Sequence, residues 1–179
     1  VEPDLSVPGH PELFVVGDLA SFTHDGGKPL PGVASVAIQQ ATHAVRAIGT
    51  NTLRPLLATG LAVHVIHGNN LGDAVSLWRL GAESGGRITY HGQDADLRLG
   101  GRRLAVTHYP HLGRGLACTG DYDVVCCGHS HEAGIVHQPN IGGGATWLVN
   151  PGTVAGLGAP ATWVLAELAS LAFEIRPLP

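Results

Sequence analysis

Val124-Val125-Cys126-Cys127 is an apolar run short enough for a single buried strand, and Gly128-His129-Ser130-His131 follows it directly. Two imidazoles one residue apart, just past a strand end, can turn both ring nitrogens toward one point. Neutral imidazole is a common ligand for Zn, Mn, Fe and Ni. In a chain with 11 His the pair alone would be weak. It has company, however. Gly68-Asn69-Asn70 follows the strand-like Val63-His64-Val65-Ile66, and Thr107-His108 follows Leu104-Ala105-Val106. Three apolar runs thus each end in a metal-ligand type, in the order Asn, His, His-x-His.

Between these runs the pattern alternates. Leu13–Val16 reads as a short strand and Val33–Ile48 as a helix with Val33, Val36, Ala37, Ala41, Ala44, Val45 and Ile48 on one face. Thr52 is placed to cap a short helix that Gly60 ends. Val63–Ile66 is expected to be a buried strand. Asp73 is placed to cap a helix through Glu83, anchored by Val75, Leu77, Trp78 and Leu80. Short strands are expected at 88–90, 95–99 and 103–107, with Gly100-Gly101 as a hairpin turn. A brief helix at 112–117, the strand at 124–127 and strands at 134–137, 145–149, 162–168 and 172–176 complete the reading, with a turn at 140–144. Helix–strand alternation followed by hairpins predicts an α/β chain with a mixed sheet.

The motif order resembles the second half of the calcineurin-like metallophosphoesterases, in particular their small bacterial and archaeal phosphodiesterase branch. The likeness runs from about Thr52 to Pro179. His67-Gly68-Asn69-Asn70 looks like the family's Gly-Asn motif and Val106-Thr107-His108-Tyr109-Pro110 like its single-His motif. The segment 122–133 resembles the Gly-His-x-His block, and Leu148-Val149-Asn150-Pro151-Gly152-Thr153 the turn that closes the site. This implies a mixed two-sheet sandwich flanked by helices, here incomplete at its N-terminal edge. Asn69, His108 and His129 would hold the family's second metal and His131 its first. Of the first half of the family's site, the Asp-x-His has no counterpart before Asn51, and the Gly-Asp whose carboxylate bridges two metals is matched in type only by Gly17-Asp18, far upstream of Thr52, so that half is expected to be absent or replaced. The family carries two divalent metals (Mn, Ni, Zn or Fe), and one is expected here. His108 with a metal-bound water is the only catalytic candidate.

Residues 1–48 carry a second likeness, to the late flavin-binding segment of type II NADH dehydrogenases. Phe14-Val15-Val16-Gly17-Asp18 looks like the strand whose Asp, here Asp18, contacts the FAD ribityl chain, and 30–40 looks like the following helix start. Ser35 stands where that family usually has Gln. Without a Gly-rich Rossmann turn, this piece is not expected to hold FAD alone. The chain thus reads as an arm (1–48) joined near Gly49 to a phosphoesterase-like domain (49–179). A recombined, truncated or misassembled reading frame is the expected origin. The start at Val1 and the absence of Met fit a fragment or an alternative start codon.

Composition narrows the function. Net charge is −4, and Arg102-Arg103 is the only basic doublet, so no electrostatic footprint for nucleic acid is present. No apolar run approaches the ~20 residues of a membrane span, and no signal-peptide pattern opens the chain. Cys118, Cys126 and Cys127 are read as buried thiols of a cytoplasmic protein, the last two pointing to opposite faces of a strand.

Each candidate also has a plainer role. His129 and His131 could be loop residues, Asn69 a turn residue, His108 a strand-end histidine, and Asp73 and Asp18 a helix cap and a turn residue. The expected function is metal-dependent hydrolysis of a small phosphate ester, impaired by loss of half the site. The alternatives are a non-catalytic remnant binding one metal, or a fragment of an FAD-dependent NADH:quinone oxidoreductase. The substrate and the oligomeric state are left open.

Overall fold

The computed structural model describes residues 6–14, 53, 55–69, 74–156 and 158–178. The chain divides into two compact units, one of residues 1–64 and 71–90 and one of residues 65–70 and 91–179. The fold is mixed α/β, with several sheets and few helices among the described residues. The expectations placed on Thr52, Asp73, Asp18 and the helix over 33–48 lie outside those residues.

In the first unit, β1 (Ser6–Val7) and β2 (His10–Phe14) form an antiparallel pair joined at Pro8-Gly9. Backbone at Leu53 and at 55–57 is helical, and Gly60 takes φ 73°, the left-handed value that suits a residue just past a helix end. Further along are β3 (Val63–Val65), whose last residue is counted with the second unit, α1 (Ala74–Glu83) and β4 (Ile88–Tyr90), with β3 paired to β4.

Two expectations need correction here. Strand β3 is half-buried rather than buried, because period two puts His64 on the exposed side between Val63 and Val65. On α1, Leu77 and Leu80 are buried with Ser84 just beyond, whereas Val75 and Trp78 are 55% and 65% exposed. Residues 77, 80 and 84 share one face at helical spacing, and residues 75 and 78 lie round the cylinder from it.

The second unit is built on a five-stranded sheet in the order β5 (Ala95–Leu99), β6 (Arg102–Val106), β7 (Val124–Cys126), β9 (Ala145–Asn150), β8 (Gly134–Pro139). Its edge pairs are antiparallel hairpins, and β6, β7 and β9 run parallel. Gly100 and Gly101, at φ 58° and 79°, supply the tight turn of the first hairpin. The helix α2 (Pro110–Thr119) connects β6 to β7. It is longer than the expected 112–117 because Pro110 starts it, where no N–H is needed, and Gly120 ends it at φ 77°. A last hairpin, β10 (Thr162–Glu167) and β11 (Ala172–Pro177), follows.

Alternation decides what lies on each side of the parallel strands. Leu104, Val124 and Val149 form one core face with Ala95 and Leu97, and Val164 and Phe173 of the last hairpin pack against it. Ala105 and Val125 form the other face with Ala117 of α2. Val125 and Ala117 are wholly buried. Cys126 packs against the first face and Cys127 is buried beyond it, so these two free thiols point apart. Among the described residues no helix is long and apolar enough to cross a membrane.

Candidate metal centre

The register of the parallel strands builds the site. Val106, Cys126 and Val149 lie in one row. The residues that leave the sheet are therefore level with one another: Thr107-His108 from β6, Cys127-Gly128-His129 from β7, and Asn150 at the end of β9. Backbone bonds carry this alignment past the strands. Thr107 N–H donates to the Cys126 carbonyl at 3.0 Å, Gly128 N–H to the His108 carbonyl at 3.0 Å and Cys127 N–H to the Val149 carbonyl at 2.9 Å. The carboxyl ends of parallel strands are the usual place for a ligand in such sheets.

The Gly68-Asn69 segment reaches the same end through His67, whose N–H donates to the Gly92 carbonyl at 2.9 Å. Three donor atoms then meet. His108 Nε2 is 2.7 Å from Asn69 Oδ1 and 3.1 Å from His129 Nδ1, and His129 Nδ1 is 3.2 Å from Asn69 Oδ1. Each imidazole nitrogen brings at most one proton, and Asn69 Oδ1 brings none. Three mutual contacts share at most two protons, so at least one of them has no proton of its own. A cation resolves that conflict. Donors about 2.1 Å from one ion stand roughly 3 Å apart when they are at right angles, which matches this triangle. The residues fit a divalent metal.

His131 lines the same cavity, of about 400 Å³, together with Gly68, Asn69, His108 and His129. None of these five carries a carboxylate. Among the described residues no three His, Cys, Asp or Glu side chains form a metal-holding group by themselves, so the amide of Asn69 is needed to complete the set of three. Asp18 lies outside the described residues.

Electrostatics favours the ligand form of His108. Burial first, and then His129, His131 and His67, hold its imidazolium form below the ordinary range. At neutral pH its ring is neutral, with a lone pair to give. The Tyr109 ring stands edge-on to His108 at 5.0 Å and to His129 at 4.9 Å between centroids.

The loop itself is unusual. His129 and His131 sit at φ 67° and 62°, in the left-handed region that side-chain-bearing residues rarely adopt. Such backbone survives where its surroundings over-determine it, and it concentrates at functional sites. In the sequence Asn150 reads only as part of a turn, and Ser130 and Tyr109 carry no ligand signal of their own. The side chain of Asn150 in fact points back into the His loop, donating to Ser130 Oγ at 2.9 Å. A polar residue closing the third parallel strand was the available signal.

The sequence description of the calcineurin-like phosphoesterase superfamily domain matches residues 14–170. A solved structure of an archaeal phosphodiesterase superposes with a TM-score of 0.63 at 18% identity, over 72% of this chain and 76% of that one, which is a likeness of fold. A type II NADH:quinone oxidoreductase of Staphylococcus haemolyticus is 35% identical over 88 residues, 49% of this chain and 20% of that protein. The type II NADH:quinone oxidoreductase NdhA of Mycobacterium tuberculosis is 52% identical over 48 residues, 27% of this chain and 9% of that protein. The chain therefore spans a fifth or less of the length of these oxidoreductases.

Proposed function

The chain belongs to the calcineurin-like phosphoesterase superfamily, and we propose that it is a metal-dependent phosphodiesterase whose cation is held by Asn69, His108 and His129, with His131 lining the same cavity. The convergence of Asn69 Oδ1, His108 Nε2 and His129 Nδ1 within 3.2 Å carries this reading. A mixed nitrogen and oxygen donor set suits Mn, Fe, Zn or Ni. When bound, such an ion neutralises phosphate oxygens and lowers the pKa of a coordinated water. The protein's part is to keep His108 neutral, to hold the donors level at the strand ends, and to leave the cavity open to a small phosphate ester.

One tightly held cation is the expected stoichiometry, and turnover should be slow. The five cavity-lining residues bring no carboxylate, so among the described residues no anionic group stands between two dications a few ångströms apart to offset their repulsion. The three free thiols suit a reducing cytosol. Hydrolysis of a bis-aryl phosphate with added Mn²⁺, alongside His129→Ala, tests the reading. Slow turnover lost in the variant supports it. Metal binding without turnover above the metal blank favours a non-catalytic metal-binding protein, and a chain that takes up no divalent metal refutes both.

The 88-residue match to an oxidoreductase favours a second reading, a piece of a flavin site. Flavin fluorescence retained through purification would support this reading, and its absence after incubation with FAD would dismiss it.

A further inference from the structure

We infer that Asn150 is a positioning residue that clamps the loop carrying the metal ligand His129, and His131 after it, through Ser130, an inference that rests on the metal site proposed above. His129 is the middle of a three-residue turn closed by Ser130 N–H donating to the Gly128 carbonyl at 2.8 Å. His131 is the middle of the next one, in which Glu132 N–H reaches back to Ser130 Oγ at 3.5 Å. Each turn begins at an acceptor: the Gly128 carbonyl for the first, the Ser130 hydroxyl for the second. Asn150 donates to both, with Nδ2 3.3 Å from the Gly128 carbonyl and 2.9 Å from Ser130 Oγ. Both protons of its amide are thereby committed to the loop.

The other end of the amide is also fixed. Gly152 N–H donates to Asn150 Oδ1 at 3.0 Å. Asn150 is 9% exposed, so these bonds compete little with water. The following turn is tied down in turn by the last hairpin. Thr162 donates its hydroxyl to the Pro151 carbonyl at 2.8 Å, and its N–H to the Thr153 carbonyl at 2.8 Å. Gly152, at φ 84°, must be glycine, since a Cβ there would overlap Thr162 Oγ1. A chain of contacts thus runs from β10 through Asn150 to the two strained histidines. Without it, backbone at positive φ on a non-glycine residue would relax toward ordinary values and swing His129 Nδ1 away from Asn69 and His108.

The test uses Zn²⁺ titration of the metal-free full chain as wild type, Asn150→Ala, Ser130→Ala and the double variant, well below each melting temperature. Outer partners that orient metal ligands typically contribute about 10–100-fold in affinity, and Asn150→Ala should fall in that range. Ser130→Ala should weaken binding less, and the double variant should be no weaker than Asn150→Ala combined with the loss of the Glu132 contact. A second readout does not depend on metal: in the metal-free protein, the strong N–H to Hα cross-peak that marks positive φ should vanish at His129 in Asn150→Ala and persist in wild type. Equal Zn²⁺ affinity in wild type and Asn150→Ala overturns the inference while leaving the metal site standing. If wild type takes up no Zn²⁺, the metal site fails, and the cross-peak alone decides whether Asn150 holds the loop. Its persistence in a folded Asn150→Ala overturns the clamp. Should Asn150→Ala not fold, Ser130→Ala, at an exposed position, carries the same comparison with a smaller expected loss.

Discussion

The imidazole of His108 lies against Gly68 so closely that a Cβ added at Gly68 would come within 2.4 Å of His108 Cε1 and 2.5 Å of its Nδ1. Glycine is required there by the neighbouring ring rather than by its own backbone angle. Gly68→Ala should therefore displace His108 while costing the fold little, because alanine also restricts the unfolded chain by roughly 0.4–1 kcal/mol. The expected outcome is at least a tenfold loss of Mn²⁺ or Zn²⁺ affinity with a melting temperature near that of wild type. Unchanged metal affinity in the folded variant would show that His108 is not a ligand, or that it can move without consequence.

Acid should destabilise the metal-free protein through His108. Its pKa is lowered in the folded state, by burial first and then by His129, His131 and His67. Below the unfolded value of about 6.5 the unfolded chain therefore binds more protons at this position than the folded one, and stability falls as pH drops through that window toward the folded pKa. Above it the residue contributes no pH dependence. Urea denaturation at about pH 7.5 and about pH 5.5 should show a drop that is smaller in His108→Asn. An identical drop in the variant would assign the acid sensitivity to other groups.

Much of this fold could be read from period and punctuation. The Gly100-Gly101 turn lies where expected, and β4, β5 and the strand after Asp123 lie within a residue of their expected positions. What resisted reading was orientation. The apolar residues Val75 and Trp78 have the character of core residues, yet only contacts across space decide which side of α1 is covered. The same holds at the site. Asn69, His108 and His129 were visible as ligand types at strand ends. The role of Asn150 depends on the parallel register of β7 and β9, which sets residues 20 or more apart in sequence side by side. No local pattern encodes that pairing.

Thiol chemistry provides a check on the sheet's interior. Burial, and then the neighbouring Cys127, push the Cys126 thiol up to about 11. Burial raises Cys127 as well. The thiolate is the nucleophile, so at about pH 8 roughly one part in a thousand of Cys126 is reactive even before access is considered. Iodoacetamide treatment of the folded chain, mapped by peptide mass, should spare Cys126 at that pH, and its labelling should rise about tenfold per pH unit until the thiol ionises or the protein opens. Fast stoichiometric labelling of Cys126 at about pH 8 would contradict the packing of β7.

Two glycines of α2 separate helix propensity from packing. A Cβ at Gly115 meets nothing within 4 Å, whereas one at Gly113 would come within 2.9 Å of Cys127 Cβ and 3.3 Å of Leu148 Cδ1. Alanine is better than glycine inside a helix by up to about 1 kcal/mol, so Gly115→Ala should raise the urea midpoint without changing the slope. At Gly113 the same gain is opposed by overpacking, which costs about 1–3 kcal/mol. Cys127 Cβ is rigidly attached to backbone and cannot turn aside, so the midpoint should fall. The displacement also has a direction. Cys127 is followed by Gly128-His129, so pushing it away from α2 moves the loop that carries His129. Gly113→Ala should therefore weaken Zn²⁺ binding in the folded state while Gly115→Ala leaves it unchanged. Equal midpoints and equal affinities in the two variants would mean that α2 can shift away from the sheet and that the helix does not set the position of His129.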